Sequence, residues 1–197
     1  MRLSSVALVV LGLASFACEK TPPGPAATTP ASEPAATSGT TGTTGAPGAA
    51  GEITVGKAPP TFSATAHDGT KIDLKERLGK QPIVVYFYPK DETPGCTTEA
   101  CSFRDNWVAL EKANVLLIGV SADSLDSHKA FAEHHKLPFK LVSDADGAIA
   151  KSYGVPFQGY TGRQSFVIGK DGNVKKIYRT VDVTAHAQQI LADVNGG

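Results

Sequence analysis

The chain of 197 residues has only three cysteines, Cys18, Cys96 and Cys101, and no excess charge of either sign, since 19 Lys and Arg stand against 19 Asp and Glu. So few cysteines exclude a small fold knitted by disulfides. Balanced charge removes the driving force for broad electrostatic capture of nucleic acid or anionic lipid, so no nucleic-acid partner is expected. Long apolar runs are missing too. The N-terminal stretch at residues 6–13 (VALVVLGL) falls well short of the roughly 20 residues that a spanning helix needs. The sequence does not repeat internally. With 41% hydrophobic residues, it is long enough for one or two ordinary domains.

Arg2 supplies a short positive start, the apolar stretch follows, and Ser15-Phe16-Ala17 puts small residues at the first and third positions of a cleavage site. Residues 1–17 therefore read as an export signal. Cys18, directly after Ala17, resembles the lipid-attachment cysteine of bacterial lipoproteins, although that pattern prefers an aliphatic residue where this chain has Ser15. Residues 18–51 then comprise the anchor cysteine and a linker. From 21 to 51 every residue except Glu33 is Thr, Ala, Pro, Gly or Ser, a composition that cannot build a core. As a flexible chain this linker spans roughly 30 Å root-mean-square, and about 100 Å near full extension. The expectation is an exported protein, anchored to a membrane through lipid only, facing the periplasm or the cell exterior.

Residues 52–197 form one neutral globular domain with 17 side chains of each sign. Residues 61–66 and 71–74 flank His67-Asp68-Gly69-Thr70, which predicts a small hairpin. Residues 83–88 (IVVYFY) are a continuous β-branched and aromatic run, long enough for a buried strand and too short for a helix. Ala100, Phe103, Trp107, Leu110 and Ala113 recur at helical spacing, predicting one helix over 97–113 that starts near Cys96. A buried strand is expected at 115–120 and a helix at 124–136. A short strand at 139–142, a short helix at 146–153 and a hairpin of 165–168 with 174–181 follow, and Thr184 is placed to cap a last helix through Val194. The fold class is α/β, a central mixed sheet flanked by helices.

The chemistry concentrates at YFYPKDETPGCTTEAC, residues 86–101. Cys96 falls in the first turn of a helix, where free backbone N–H groups and the positive end of the macrodipole favour the thiolate. A thiolate held there is a nucleophile.

This segment closely resembles the peroxiredoxins, whose Pro-x-x-x-Thr-x-x-Cys signature is met by Pro89, Thr93 and Cys96, and in particular their bacterioferritin-comigratory or Q-type branch. The similarity continues through Phe103-Arg104-Asp105, residues 119–124 (GVSADS), Leu137-Pro138-Phe139 and residues 163–168 (RQSFVI). The resemblance implies a thioredoxin-like fold and a thiol peroxidase. In that family Cys96 would be the peroxidatic cysteine, Thr93 and Arg163 would hold the peroxide and stabilise its transition state, and Pro89 would shield the sulfur. Cys101 matches the resolving cysteine of Q-type members that keep both thiols in one helix, implying an intramolecular Cys96–Cys101 disulfide. Residues five apart in an ideal helix have Cα atoms about 8.6 Å apart, beyond the roughly 7 Å that a bridge tolerates, so the helix start must unwind in each cycle. The partners implied are a hydroperoxide and a thioredoxin-like reductant, with no cofactor, no metal and a monomeric chain.

Four residues between Cys96 and Cys101 do not fit the Cys-x-x-Cys of thiol-disulfide oxidoreductases. A zinc site would want more ligands, and His67, His128, His134, His135 and His186 show no ligand spacing beside the cysteines. The competing function is a thiol redox sensor or interaction domain on the same fold. Glu99 is expected to be a solvated first-turn carboxylate, Phe103 and Trp107 core residues, and His134-His135 a helix surface.

Overall fold

A computed structural model describes residues 53–196. The expected signal, Cys18 and the linker lie outside the described residues. The chain runs through β1 (Ser63–Thr65), β2 (Lys71–Asp73), the one-turn α1 (Leu74–Arg77), β3 (Ile83–Phe87), α2 (Pro94–Asp105), α3 (Trp107–Lys112) and β4 (Leu116–Ser121). It continues with α4 (Leu125–His135), β5 (Lys140–Ser143), α5 (Ala148–Ser152), β6 (Gln164–Ile168), β7 (Val174–Tyr178) and α6 (His186–Asn195).

Strands β1 and β2 form the small hairpin, and the other five form one sheet in the order β5-β4-β3-β6-β7. Strand β3 pairs parallel with β4, which pairs parallel with β5, whereas β3–β6 and β6–β7 are antiparallel. This is the expected mixed sheet. The apolar run of β3 has a simple cause: as the central strand it is buried on both faces. Alternate side chains serve different cores. Val84, Tyr86 and Tyr88 join Phe103, Leu110, Phe131 and Ile190 of the helices on one face. Ile83, Val85 and Phe87 join Ile72, Leu74, Ala150 and Tyr153 on the other. Gly119 of β4 makes room for the first layer, because a Cβ there would lie 2.7 Å from the Tyr86 hydroxyl.

Three local expectations are corrected. The single helix over 97–113 is two: α2 ends at Asp105, and the Asn106 side-chain amide donates to the Ser102 carbonyl at 2.8 Å, competing with the backbone for an acceptor of the helix ladder. Phe103 and Leu110 are nevertheless buried in the same cluster, with Trp107 partly buried against it, so the apolar stripe survives the break. The helix also begins earlier than expected, with Pro94 in its first turn and Thr93 at the cap, since proline lacks the N–H that this position would leave unpaired. Finally, Thr184 does not cap α6. Its hydroxyl bonds Asp182 Oδ1 at 2.7 Å, and the helix starts after Ala185. The short α1 was not anticipated; Asp73 caps it by accepting from the Glu76 N–H. Among the described residues no helix is long and apolar enough to cross a membrane.

Candidate active site

The site lies at the carboxyl end of β3, where open α/β sheets place their ligand sites. Tyr88 directly follows β3, residues 89–93 form a short loop, and α2 begins at Pro94. Cys96 is therefore in the first turn of α2, as expected, where its thiol is free, only 2% exposed and close to orphan backbone N–H groups.

Antiparallel pairing brings the second component from far along the chain. Because Gln164 of β6 is registered against Phe87 of β3, Arg163 arrives beside the loop that leads into α2. Its Nη2 donates to Cys96 Sγ at 3.0 Å, and its Nη1 donates to Glu99 Oε2. Thr161 fixes this approach by donating to the Tyr88 carbonyl at 2.6 Å. One guanidinium thus spans the thiol and a carboxylate, a fork that lysine could not reproduce.

Glu99 corrects the sequence reading: it is not solvated but fully buried. It sits three residues after Cys96, on the same helical face, and that spacing was the available signal. Burial pushes its carboxyl up to about 7, and the charge and hydrogen bond of Arg163 only partly oppose this. Its Oε1 finds no hydrogen-bond partner among the described residues. The nearby His186 Nε2, 3.9 Å away, is engaged with Ser165 Oγ at 2.8 Å. Burial lowers His186 to about 4, which leaves it neutral near pH 7. The guanidinium is desolvated, but the neighbouring Glu99 and Cys96 outweigh that and hold Arg163 above its ordinary value. A permanent cation is therefore aimed at the sulfur.

Thr93 and Pro89 stand where the loop meets the helix, both partly buried. The Thr93 hydroxyl donates to the Lys90 carbonyl at 2.9 Å and bonds no N–H of the first turn, which leaves its oxygen lone pairs available as acceptors. Cys101 is buried farther along α2.

A second group of polar side chains fixes the loop, and local sequence reasoning missed it. Asp91 is buried and receives the Tyr88 and Ser127 hydroxyls at 2.7 Å each, with His128 Nδ1 at 2.9 Å. Its N–H donates to Asp123 Oδ2 at 2.9 Å. Burial alone would push the Asp91 carboxyl up, but His128, Ser127 and Tyr88 together hold it below its ordinary value. Asp91 and His128 are 37 positions apart, so no local pattern announces their pairing.

The AhpC/TSA family model matches residues 55–177. The chain is 45% identical over 130 residues to a chloroplastic peroxiredoxin Q of Sedum lineare, covering 64% of this chain and 69% of that one. It spans only 59–61% of the other chloroplastic relatives. A putative peroxiredoxin bcp of Coxiella burnetii is 38% identical over 147 residues, covering 71% of this chain and 97% of that protein. Among solved structures, the bacterioferritin comigratory protein of Xanthomonas campestris, studied for alkyl peroxide reduction, is similar with a TM-score of 0.63 and 34% identity over 68% of this chain and 90% of that one. The thioredoxin-like architecture follows from the same likeness. Since a nearly full-length bacterial relative agrees with the family match over most of the domain, the chain belongs to the AhpC/TSA family as a peroxiredoxin of the Q or bacterioferritin-comigratory type, a thiol-dependent peroxidase.

Proposed function

We propose that Cys96 is the peroxidatic nucleophile of this peroxidase and that Cys101 resolves it within the same chain. The observation that carries the reading is the Arg163 guanidinium held 3.0 Å from a buried helix-start sulfur. The Cys96 thiolate attacks the distal oxygen of the hydroperoxide; the O–O bond breaks, the sulfur becomes a sulfenic acid, and the departing alkoxide or hydroxide takes a proton to leave as alcohol or water. Arg163 stabilises negative charge as it develops on the oxygens, and donors already in place lose no energy to reorganisation. The Thr93 oxygen accepts a hydrogen bond from the peroxide O–H, and Pro89 limits water at the sulfur. The Cys101 thiolate then attacks the sulfenic sulfur, forming the disulfide and breaking the S–O bond, and the departing hydroxide takes a proton to leave as water. Because both cysteines lie within α2, Pro94–Asp105, the first turn must unwind for that step, ideal helical spacing being too long for a bridge. A dithiol of thioredoxin type returns the electrons. Hydrogen peroxide and organic hydroperoxides are the proposed substrates; the alkyl peroxide activity named for the Xanthomonas protein supports the second class.

The deciding experiment pairs two variants. Cys96→Ser is expected to abolish turnover with a dithiol reductant, and retained turnover would refute the assignment. Cys101→Ser is expected to keep the first oxidation and accumulate sulfenic or overoxidised Cys96, seen by mass spectrometry after one equivalent of peroxide. A disulfide from Cys96 to another thiol of the same chain would displace Cys101 from its role.

We further propose export and diacyl anchoring at Cys18, with the chain acting as a monomer, and the reductant is then extracytoplasmic. Two acyl chains give stable attachment where one is marginal. Cell fractionation of native protein and Cys18→Ala checks this: labelled palmitate should enter only the native chain, and equal solubility of both would leave a simply secreted protein.

A further inference from the structure

We propose that Glu92, His134 and His135 form a binding site for a borderline divalent cation, zinc above all, that ties the loop before the peroxidatic helix to α4. Neither the peroxidase cycle nor the Asp91 network uses these side chains. Glu92 belongs to the loop at residues 89–93, and the two histidines end α4. His134 Nδ1 lies 3.0 Å from Glu92 Oε1, and His135 Nε2 lies 3.0 Å from Glu92 Oε2. Neighbouring helix residues ordinarily point about 100° apart, yet here both rings converge on one carboxylate with centroids 4.2 Å apart. A left-handed backbone at Glu92, φ 58°, lets Asp91 and Glu92 both reach back to α4.

The donor chemistry selects the ion. Two imidazoles and one carboxylate suit zinc, copper or nickel, whereas calcium and magnesium prefer oxygen ligands alone. One ligand atom from each residue lies within 4.8 Å of the others. Tetrahedral donors about 2.1 Å from zinc stand about 3.4 Å apart, so the 3.0 Å contacts open slightly and any wider separation, 4.8 Å at most, closes. That adjustment is easy, because the Glu92 and His134 side chains are 50% and 68% exposed, while His135 at 13% supplies the rigid corner. The exposed side leaves a position for water.

Occupancy would pin the loop at a second point beside the Asp91–His128 contact and so hold the start of α2. The site itself stands or falls independently of the peroxidase assignment, and its test uses no turnover. Untagged full-length protein and a Cys18→Ser/Cys96→Ser/Cys101→Ser variant are titrated with zinc chloride by calorimetry. Amide exchange is followed across residues 90–97. One ion per chain is expected in both, with slower exchange when zinc is added. Glu92→Gln and His134→Ala/His135→Ala should each weaken binding by at least about tenfold, since even the loss of an outer-shell partner costs about 10–100-fold, and should abolish the exchange effect. His67→Ala, on a different part of the chain, should match the parent. No saturable zinc binding, unchanged affinity in the ligand variants, or binding lost in the serine variant would each overturn the site.

Discussion

Two buried carboxylates, one within the loop before α2 and one on α2 itself, have opposite surroundings. Asp91 is surrounded by donors, two hydroxyls and an imidazole, and is held below its ordinary value. Glu99 meets one guanidinium, keeps an oxygen without a hydrogen bond among the described residues, and is raised to about 7. A fully satisfied carboxylate locks structure, because breaking its network leaves several buried groups unpaired. An under-satisfied one is poised near neutrality, where small changes in its surroundings move its charge. The first fixes the loop that delivers the peroxidatic helix, while the second shares the cation that touches sulfur.

Removing the locked carboxylate should have the largest effect. Asp91→Ala is expected to cost about 3–5 kcal/mol, the usual consequence of breaking a buried ionic or charge-assisted pair from one side, read from urea unfolding at neutral pH. Glu99→Gln should cost clearly less, since it replaces a carboxylate that burial already disfavours. Equal losses would erase the distinction between the two sites.

The next effect is catalytic. Arg163→Met should lower kcat/KM for hydroperoxide by about 10²–10³, the range for losing one donor aimed at developing charge, measured by stopped-flow oxidation of Cys96. Arg163→Lys should recover only part of this, because an ammonium lacks the planar fork that reaches sulfur and carboxylate together. Full recovery by lysine would mean that charge alone matters and that the Glu99 contact is incidental.

The smallest effect is a pair of pH slopes of opposite sign. For Glu99 the folded value of about 7 exceeds the ordinary 4.5, so the folded state binds the proton more tightly. Its contribution is fully present below about 4.5 and is lost as pH rises through about 7. For Asp91 the folded value lies below the ordinary 3.8, so its contribution is present above that value and is lost as pH falls through the lowered one. Chemical denaturation across this range should show the first slope vanish in Glu99→Gln and persist in the Cys96→Ser protein. A slope unchanged by Glu99→Gln would assign it to another group.

Cys96, Pro89, Thr93 and Arg163 were legible as candidates in the sequence because a recognisable motif carries each of them. The same motif drew attention away from Glu99, which a charge-based reading leaves in solvent although it shares the helical face of Cys96. Asp91 and His128 gave no local sign, because a carboxylate in a charged loop and an imidazole in an amphipathic helix are each unremarkable alone. The break at Asn106 was hidden by an apolar stripe that continues across it.

Local pattern by itself determined the central strand, the helix after it and the cysteine at its start, since periodicity and run length reflect how each segment meets the core. Burial and partnership were decided only by the tertiary structure. Antiparallel pairing of β3 with β6 brings Arg163 to Cys96 over 67 positions, and packing of α4 beside the loop brings His128 to Asp91. Whether a carboxylate is locked or poised depends on how many donors reach it and how much water is excluded, and both are properties of the folded neighbourhood rather than of the residue.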